Sequence, residues 1–239
     1  MYADDTNEPT TFYVVHPYGM SLLFGRTDNH RFNIAFKEYA LNINHTRSEY
    51  EWMQAFPSEW NAVLANLFSG AMISSFDNVP DPKSGIIELN TRINFKFNRA
   101  RYAAVKDRLS FSNVTIRQTD ETAFHQMKGT VVPAAFWDTA EDFCLKGVGF
   151  SLYHHGRLAS TAYSAFCDDG LLEIGIETIK EYRGQGFARL VCAALIDYCL
   201  SHGYEPVWAC RLENTGSYEL AQRLGFVPLL RIPYYRLSK

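Results

Sequence analysis

The chain has 239 residues, of which 47% are hydrophobic, 21% charged and 15% aromatic, and its formal net charge is −3. That composition is typical of a folded globular protein, and the slightly acidic charge argues against a nucleic-acid partner bound through its phosphates. No hydrophobic run approaches the roughly 20 residues needed to cross a bilayer, and the acidic first residues do not resemble a secretory signal. We therefore expect a soluble, cytoplasmic protein that binds neither membranes nor nucleic acid.

All five cysteines lie in the second half of the chain, and no two of them have the Cys-x-x-Cys spacing. An odd number of cysteines without an export signal indicates reduced thiols that serve as small core residues. A structural zinc site requires clustered ligands, whereas the adjacent His154 and His155 have no further ligand at such a spacing. We therefore expect no metal site.

The first half of the chain predicts strands mixed with helices. Residues 11–16 and 20–25 are hydrophobic runs on either side of the turn sequence Pro-Tyr-Gly, which predicts a hairpin. Residues 92–98 alternate between hydrophobic and polar side chains, and this alternation predicts a half-buried strand. These elements indicate an α/β organisation.

Two helices are predicted between these strands. Ser48 and Glu51 have the spacing of a capping box, which predicts a short helix that ends before Pro57. Ser58 is placed to cap a second helix, and Gly70 is placed to end it.

Residues 77–85 contain two prolines and several charged side chains, and they are predicted to form a loop. The His, Asp and Glu residues of segment 1–111 are scattered and do not indicate a catalytic site. We interpret residues 1–111 as an α/β domain that helps to shape a site in a second domain, residues 112–239.

The second half alternates more regularly, and turn sequences mark the ends of its elements. In chain order the sequence predicts a strand at 114–118, a helix at 120–127, two strands at 147–153 and 157–167 joined by a hairpin turn, a strand at 171–178 after a second tight turn, a helix at 187–202, a strand at 207–210, a helix at 214–224 and a strand at 226–237. This order predicts a mixed α/β fold.

The most informative segment lies between the strand at 171–178 and the helix at 187–202. Gly184 and Gly186 follow Arg183 there, directly before the helix. Glycines allow a ligand to approach the backbone closely, and the N–H groups at a helix start favour an anion. The segment is therefore either an anion-binding loop or a strand-to-helix turn with a structural role only. It lacks the lysine and hydroxyl pair of a P-loop.

This segment and a second motif resemble the GNAT superfamily of acyl-CoA-dependent N-acyltransferases. Arg183, Gly186 and Ala188 match the superfamily's loop, Arg/Gln-x-x-Gly-x-Gly/Ala, in register. Asn214 opens a helix that ends in Leu-Gly-Phe at 224–226, as the second motif of the superfamily does.

The resemblance covers residues 112–239, and residues 114–117 resemble the superfamily's first strand. It implies a GNAT-like acyltransferase fold for this part of the chain. Residues 1–111 do not match the superfamily's core, which indicates a branch with an extra N-terminal α/β half. We expect that half to contribute to the pocket of the acetyl acceptor.

The resemblance implies acetyl-CoA as co-substrate and assigns residues to it. The diphosphate is expected on the backbone N–H groups of the loop, and the pantetheine arm at the end of the strand at 171–178, where backbone groups also polarise the thioester carbonyl. Asn214 is expected to hydrogen-bond the pantetheine arm and to cap its own helix. The expected acetyl-CoA-binding residues are Ile176, Thr178, Arg183, Gly184, Gln185, Gly186, Phe187, Ala188, Asn214 and Ser217.

The catalytic groups are less clearly marked. Many GNAT enzymes carry a tyrosine seven positions after the motif asparagine, which protonates the departing thiolate, but that position here is Ala221. Tyr218 is the nearest tyrosine and lies one helical turn earlier, so water is an alternative proton donor. Glu173 and Glu177 share one face of their strand. We expect Glu177, which is nearer the loop, to accept the proton of the amine, and a salt bridge to a neighbouring strand is the structural alternative.

The resemblance thus implies an N-acetyltransferase that transfers an acetyl group from acetyl-CoA to a primary amine by direct attack in a ternary complex. The alternative is a CoA-binding module without catalysis, used as a sensor or an assembly subunit. A covalent route through Cys210 is disfavoured, because Trp208 and Ala209 indicate a buried strand. The acceptor is a small-molecule or peptide amine that the sequence does not identify, and a homodimer is left open.

Overall fold

The computed structural model describes residues 1–75, 85–106 and 113–239, which form the predicted mixed α/β fold. The strands are β1 (Tyr2–Ala3), β2 (Thr11–Val15), β3 (Met20–Gly25), β4 (Glu51–Phe56), β5 (Met72–Ser74), β6 (Ile87–Phe97), β7 (Val114–Gln118), β8 (Gly149–His154), β9 (Arg157–Asp168), β10 (Leu171–Thr178), β11 (Glu205–Arg211) and β12 (Phe226–Leu237). The helices are α1 (His30–Ala40), α2 (Trp60–Leu67), α3 (Arg99–Lys106), α4 (Glu121–Gln126), α5 (Ala140–Lys146), α6 (Phe187–His202) and α7 (Thr215–Arg223). Within the described ranges, no helix is both long and apolar enough to span a membrane.

The chain divides into two compact units. Unit 1 consists of residues 1–92, 211–213 and 231–239, and unit 2 consists of residues 93–210 and 214–230. Strands β6, β11 and β12 each contribute residues to both units, so neither unit is one continuous stretch of chain. The functional division after residue 111 stays a prediction.

Unit 1 contains β1 to β5, α1 and α2, together with parts of β6 and β12. Its strands lie in the order β1-β2-β3-β4-β12, in which β3 and β4 are parallel and the other neighbours antiparallel. The predicted hairpin is therefore confirmed as β2 and β3. The core of the unit contains Tyr13, Leu23, Phe36, Met53, Trp60, Leu64, Phe68, Tyr235 and Leu237.

The helix predicted from Ser48 and Glu51 is wrong, because this segment forms β4. Glu51 and Met53 are buried and Trp52 is half-buried, so the segment alternates with the period of a strand. Its backbone pairs with β3 on one side and with β12 on the other. This pairing outweighs the local capping signal.

The second predicted helix is confirmed as α2, but its N-cap is Glu59 rather than Ser58, and no side chain caps it. Gly70 follows the helix with a φ of 79°. Helix α1 was not predicted, and the side chain of Asn29 caps it. Nearly all of the loop predicted at 77–85 lies outside the described residues.

Glu51 is a buried carboxylate in unit 1, with 6% of its surface exposed. It accepts hydrogen bonds from the hydroxyl groups of Tyr13 and Tyr39. Burial, followed by the charge of Glu51, raises the pKa of Tyr13 above its ordinary value. The phenol therefore stays protonated and continues to donate to the carboxylate.

Arg47 is the buried cation of the same unit, with 9% of its surface exposed. Its guanidinium donates to the carbonyl oxygens of Tyr39 at 3.0 Å, Ala40 at 2.9 Å and Ser238 at 3.2 Å. Its charge is therefore hydrogen-bonded by neutral acceptors, as burial requires.

Unit 2 contains β7 to β10, α3 to α7 and parts of β6, β11 and β12. Its strands lie in the order β7-β8-β9-β10-β11, and only β10 and β11 pair in parallel. Helix α6 packs on β8, β9 and β10. Its buried face includes Leu190, Val191, Leu195, Ile196 and Cys199.

Most predicted elements of the second half are confirmed. Helix α6 has the predicted bounds and ends at Gly203, whose φ is 81°. The hairpin between β8 and β9 turns at His155 and Gly156, which both have positive φ. Helices α3 and α5 were not predicted, although Thr139 caps α5 and two acidic residues occupy its first turn.

The five cysteines are free. Cys192, Cys199 and Cys210 are buried, as predicted for core thiols, whereas Cys144 is exposed and Cys167 is half-buried. Burial raises the pKa of Cys199 to about 12 and raises that of Cys192 as well. These two thiols are therefore unreactive core residues.

Candidate functional site

Strands β10 and β11 diverge along their length. They pair only at residues 171–173 of β10 and 205–207 of β11, although β10 continues to Thr178. On its other side β10 stays paired with β9 up to Thr178. Over its last five residues, the edge of β10 that faces away from β9 therefore pairs with no strand in the part of the chain that the structure describes.

Alternate residues of β10 present their backbone groups to that edge. The N–H of Ile179 donates to a carbonyl of β9. Because the backbone N–H and C=O groups of successive residues point to alternate edges of a strand, those of Ile176 and Thr178 point to the edge away from β9. The groups of Thr178 already have partners, because its N–H donates to Glu177 Oε1 at 3.1 Å and its carbonyl accepts from Arg183 Nε at 3.0 Å. Of the two predicted backbone positions, Ile176 is the one that stays open to a ligand.

The loop after β10 leads into α6 and contains both motif glycines. Gly184 and Gly186 have φ values of 77° and 82°, which favour glycine. Gly186 is the N-cap of α6 and offers no side-chain acceptor to the first N–H groups of the helix. A Cβ atom on Gly184 would meet no atom within 4 Å, so the space before the loop is open. The geometry therefore fits an anion at the helix start.

A cleft of about 520 Å³ lies against this loop. Its lining contains all the predicted acetyl-CoA-binding residues except Gln185, and it also contains Glu177. The lining residues are Thr130, Val131, Ile176, Glu177, Thr178, Tyr182, Arg183, Gly184, Gly186, Phe187, Ala188, Asn214, Gly216, Ser217 and Leu220.

Glu177 is a buried carboxylate of the cleft, with 7% of its surface exposed. Its Oε2 atom accepts from the N–H of Thr130 at 3.0 Å and from that of Val131 at 3.1 Å. Its Oε1 atom accepts from the N–H of Thr178 and from Arg183 Nη2, both at 3.1 Å. Four donors therefore fix both oxygens, and Glu177 connects the segment at 129–131 to Arg183.

Gly129 allows this segment to pass close to Glu177. Its φ is 152°, and a Cβ atom there would lie 2.4 Å from Cγ and Cδ of Glu177. A larger residue would push the carboxylate away from its donors.

Asn214 and Ser217 lie at the start of α7, on the cleft. Asn214 Oδ1 caps the helix by accepting from the N–H of Ser217 at 3.2 Å. Ser217 Oγ accepts from the indole N–H of the buried Trp208 at 3.2 Å. The amide nitrogen of Asn214 has no acceptor among the described residues, so it is available to a ligand.

Three predicted residues lie outside the cleft lining. Gln185 Nε2 donates to the carbonyl of Glu181 at 3.3 Å. Tyr218 packs on Phe95, with ring centroids 5.5 Å apart. Glu173 is half-buried where β10 still pairs with β11. Their roles stay predictions.

Ala221 occupies the position at which many GNAT enzymes have a tyrosine. Ala221 is fully buried, so its side chain points into the interior of unit 2. The phenol that lines the cleft is that of Tyr182, which packs near His154 and Phe187 at centroid distances of 6.0 and 6.2 Å. Tyr182 was not predicted as a site residue, although it directly precedes the motif residue Arg183 in the sequence and could have been included for that reason.

Thr130 and Val131 were also missed, and they carry no such signal. They contribute backbone N–H groups, which every residue except proline possesses. Their partner Glu177 lies 47 and 46 residues further along the chain, so only the fold brings them together.

The family model described as GNAT acetyltransferase matches residues 1–234. The match therefore includes the N-terminal half, whose sequence did not resemble the superfamily's core.

Individual proteins agree with the family match. The chain is 23% identical over 238 residues to YdfB, an uncharacterized N-acetyltransferase of Bacillus subtilis, over 98% of this chain and 84% of the relative. A GCN5-related N-acetyltransferase-like protein from Streptococcus suis has a TM-score of 0.69 at 20% identity, over 98% of this chain and 86% of the other. A GCN5-related N-acetyltransferase from Kribbella flavida has a TM-score of 0.57 at 12% identity, over 96% and 90%. At these identities the solved structures show a shared fold. Because the family model matches nearly the whole chain, this protein belongs to the GNAT acetyltransferase family.

Proposed function

We propose that this protein transfers an acetyl group from acetyl-CoA to a primary amine by direct attack in a ternary complex. The observation that carries the proposal is the glycine loop at the uncapped start of α6, which opens into the cleft beside the unpaired edge of β10. A helix start binds anions, and an open strand edge binds extended polar chains. CoA contains both, as its diphosphate and its pantetheine arm.

The diphosphate would contact the N–H groups from Gly184 to Ala188. The helix macrodipole adds roughly half a positive charge at this point. Arg183 adds a guanidinium nearby, with 60% of its side chain exposed. The ion pair with Glu177 leaves this guanidinium on the cleft.

The pantetheine arm would lie along the open edge of β10. Asn214 supplies an amide N–H from one side, and Ile176 supplies backbone groups from the other. A backbone N–H that donates to the thioester oxygen as charge develops there contributes about 3 kcal/mol to such reactions. We assign that contact to Ile176, because the N–H of Thr178 already donates to Glu177.

In the reaction the amine nitrogen forms a bond to the thioester carbonyl carbon, and the bond from that carbon to sulfur breaks. The ammonium proton must leave before attack, and CoA departs as a thiolate that takes up a proton. Glu177 and Glu173 stay the predicted acceptors of the first proton. Because four donors hold Glu177, we also propose that it positions the backbone segment and the Arg183 side chain that line the cleft. Water is the proposed donor to the thiolate, because Tyr218 packs on Phe95 instead of lining the cleft.

Acetyl-CoA binding is tested by the melting temperature of the purified protein. A ligand of the native state at 100 times its Kd adds about 2.7 kcal/mol to the free energy of unfolding. We expect micromolar affinity for the wild-type protein. Gly186→Val should remove the ligand-induced shift while the far-UV circular dichroism stays native.

Gly170→Val is the matched control. Gly170 also has a positive φ, with no atom within 4 Å of an added Cβ, but it lies in the turn before β10. That variant should be destabilised by backbone strain and should keep the full shift. An unchanged shift in Gly186→Val would show that the loop is not the diphosphate site.

A CoA-binding module without catalysis is the second candidate, and one observation favours it. The usual tyrosine position is the buried Ala221, and the nearest tyrosine does not line the cleft. Release of free thiol from acetyl-CoA against a panel of primary amines separates the two functions. Binding without amine-dependent thiol release for any member of the panel would support the module.

A further inference from the structure

Two oppositely charged side chains lie two residues apart at the end of β11, within unit 1. Arg211 is the last residue of the strand, and Glu213 follows just before Asn214. Both are half-buried. Among the described residues neither forms an ion pair, with each other or with any other side chain. Burial of opposite charges without ion pairing is unfavourable unless other groups solvate them.

Glu213 is fixed through one of its two oxygens. Oε1 accepts from the hydroxyl of Ser75 at 2.9 Å and from the N–H of Thr91 at 3.1 Å. Oε2 is buried and has no hydrogen-bond donor among the residues that the structure describes. A buried acceptor without a donor costs about 1–3 kcal/mol, and more when it is charged. A ligand that supplies N–H donors and a positive charge would remove this cost.

Arg211 is fixed by neutral groups. Its Nη1 atom donates to Asn90 Oδ1 at 3.2 Å, and its guanidinium lies 4.4 Å from the ring centroid of Trp52. A guanidinium has five N–H donors, and within the described chain this is its one hydrogen bond. Stacking on an aromatic ring leaves the edge of the guanidinium free to contact a carboxylate with two parallel hydrogen bonds.

Further aromatic and arginine side chains surround Arg211. Trp52 also stacks on Tyr234, with ring centroids 5.2 Å apart, and Arg92 lies 5.4 Å from the Tyr234 ring. Arg236 lies in the same group, but Glu88 neutralises it at 3.1 Å. Arg211 is thus surrounded by aromatic rings and by two further arginines.

We propose that Arg211 and Glu213 form a binding site for a primary amine that also carries a carboxylate, such as an α-amino acid. The ligand's ammonium donates to Glu213, and its carboxylate accepts from Arg211. Arg211 donates to Asn90 and Glu213 accepts from Thr91, which are neighbouring residues of β6, so the two side-chain ends lie in the same region, and an amino acid is a small ligand that carries both complementary charges. Oε2 is shielded from solvent in this conformation, so the half-buried Glu213 side chain turns to admit the ammonium.

As a statement about the acceptor class, this inference rests on the proposed acetyl transfer. A purely structural role for Arg211 explains its stacking on Trp52. It does not explain why Glu213 keeps a buried oxygen without a donor beside it. The zwitterion accounts for both side chains.

The test is direct binding, measured by calorimetry without CoA, so that it does not depend on turnover. The twenty common L-amino acids are the first probes. The best binder is then compared with its decarboxylated amine and with its deaminated acid. The variants are Arg211→Gln and Glu213→Gln, which keep a hydrogen-bonding amide but remove one charge each. Arg26→Gln is the matched control, because Arg26 is an exposed cation of the same unit paired with Asp28.

We expect each site variant to weaken amino-acid binding by about tenfold or more, since each removes a charge-assisted hydrogen bond. The two analogues should separate the roles. Glu213→Gln should weaken the decarboxylated amine and leave the acid unchanged, and Arg211→Gln should do the reverse. Arg211→Lys, which keeps the charge but not the planar fork, should retain part of the affinity for the acid. Arg26→Gln should bind as the wild-type protein does.

Two outcomes would overturn the inference. One is that no amino acid binds the wild-type protein at 10-fold molar excess over roughly millimolar protein, a regime that detects Kd values near 1 mM. The other is that both site variants bind like Arg26→Gln. If acetyl-CoA binds and amines without a carboxylate are acetylated equally well, the proposed function stands and this inference fails. If acetyl-CoA does not bind but the two-analogue pattern appears, the binding site stands and the proposed function fails.

Discussion

Among the described residues, each unit contains one buried glutamate, and the two carboxylates are stabilised in different ways. Glu51 in unit 1 is 6% exposed and accepts from the hydroxyls of the core residue Tyr13 and the half-buried Tyr39. Glu177 in unit 2 is 7% exposed and accepts from three backbone N–H groups and Arg183, and most of these lie on the open cleft.

The desolvation cost of the two groups is similar, since their burial is similar. The partners differ in what else they do. Tyr13 lies in the buried core of unit 1, whereas the half-buried Tyr39 packs against that core and, with Glu51, lines a cleft of about 400 Å³. We expect Glu51 to matter for stability and not for acetyl-CoA binding, which we place at the cleft of unit 2. The partners of Glu177 shape the ligand site, so Glu177 should matter for ligand binding as well. Burial of a charge therefore does not by itself identify a functional residue, and the site at which its partners lie has to be considered as well.

The largest expected effect is on stability, from Glu51→Gln. A neutral amide replaces a charged acceptor for the hydroxyls of Tyr13 and Tyr39, and hydrogen bonds to charged groups contribute about 1.5–3 kcal/mol each, against about 1 for neutral ones. We expect the free energy of unfolding to fall by about 3 kcal/mol in a urea titration. The shift in melting temperature caused by acetyl-CoA should stay at its wild-type size, and loss of that shift would contradict the separation of roles.

The second largest expected effect is on activity, from the corresponding glutamate-to-glutamine substitution in unit 2, Glu177→Gln. In Glu177→Gln the new NH₂ group faces two of the four donors, so two hydrogen bonds are lost whichever way the amide turns. We expect kcat/KM for acetyl-CoA to fall by about 50-fold, which corresponds to about 2.3 kcal/mol. A positioning role predicts that the loss is independent of pH and appears in acetyl-CoA binding too.

The control for this variant is Glu181→Gln, which removes an exposed carboxylate from the same loop and should behave as wild type. Gly129→Ala, which displaces the Glu177 side chain without changing its charge, should reproduce the loss. If acetyl-CoA binding is unchanged in Glu177→Gln and turnover recovers as the pH rises, Glu177 accepts the proton of the amine instead. A loss seen only in Glu173→Gln would move that role to Glu173.

The smallest expected effect on stability comes from Asp4, a carboxylate that has four hydrogen-bond donors, as Glu177 has, but is more exposed to solvent. Asp4 in unit 1 accepts from the N–H groups of Thr10 and Thr11, from the Thr10 hydroxyl and from Asn29. These bonds, first that from the Thr11 N–H, hold the pKa of Asp4 well below its ordinary value of 3.8. A lowered folded-state pKa adds stability above the ordinary pKa and loses it as the pH falls toward the folded value. Asp4→Asn should therefore be slightly less stable than wild type at pH 7, and the difference in thermal unfolding should shrink steadily as the pH falls below 3.8 toward the lowered folded-state pKa. A difference as large at pH 2 as at pH 7 would show that charge is not the cause.

The sequence predicted unit 2 better than unit 1, for a physical reason. In unit 2, turns with positive φ such as Gly156 and Gly203 mark the ends of elements, and this information is local. In unit 1 the decisive partners are distant. Glu51 has the spacing of a helix cap with Ser48, but its partner Tyr13 is 38 residues away, and pairing in the sheet decides its conformation.

The candidate site divides in the same way. The glycine loop and Asn214 were predicted because a motif carries them, and the cleft lining includes them. The position of Thr130 against Glu177 was not predictable, because a backbone N–H leaves no trace in the sequence. The packing of Tyr218 on Phe95 was not predictable either, since it depends on contacts between α7 and a strand more than a hundred residues earlier.

The carbonyl that Arg47 contacts at Ser238 has a consequence for synthesis on the ribosome. The two residues are 191 positions apart, and β4, just after Arg47, pairs with β12 at residues 235–237. At about 5–20 residues per second, translation takes roughly 10–40 s to pass from one to the other. During that time the nascent chain holds β4 without this partner and Arg47 without this acceptor. An unpaired strand edge readily associates with other chains, so this protein should depend on chaperones most strongly between the emergence of β4 and that of β12.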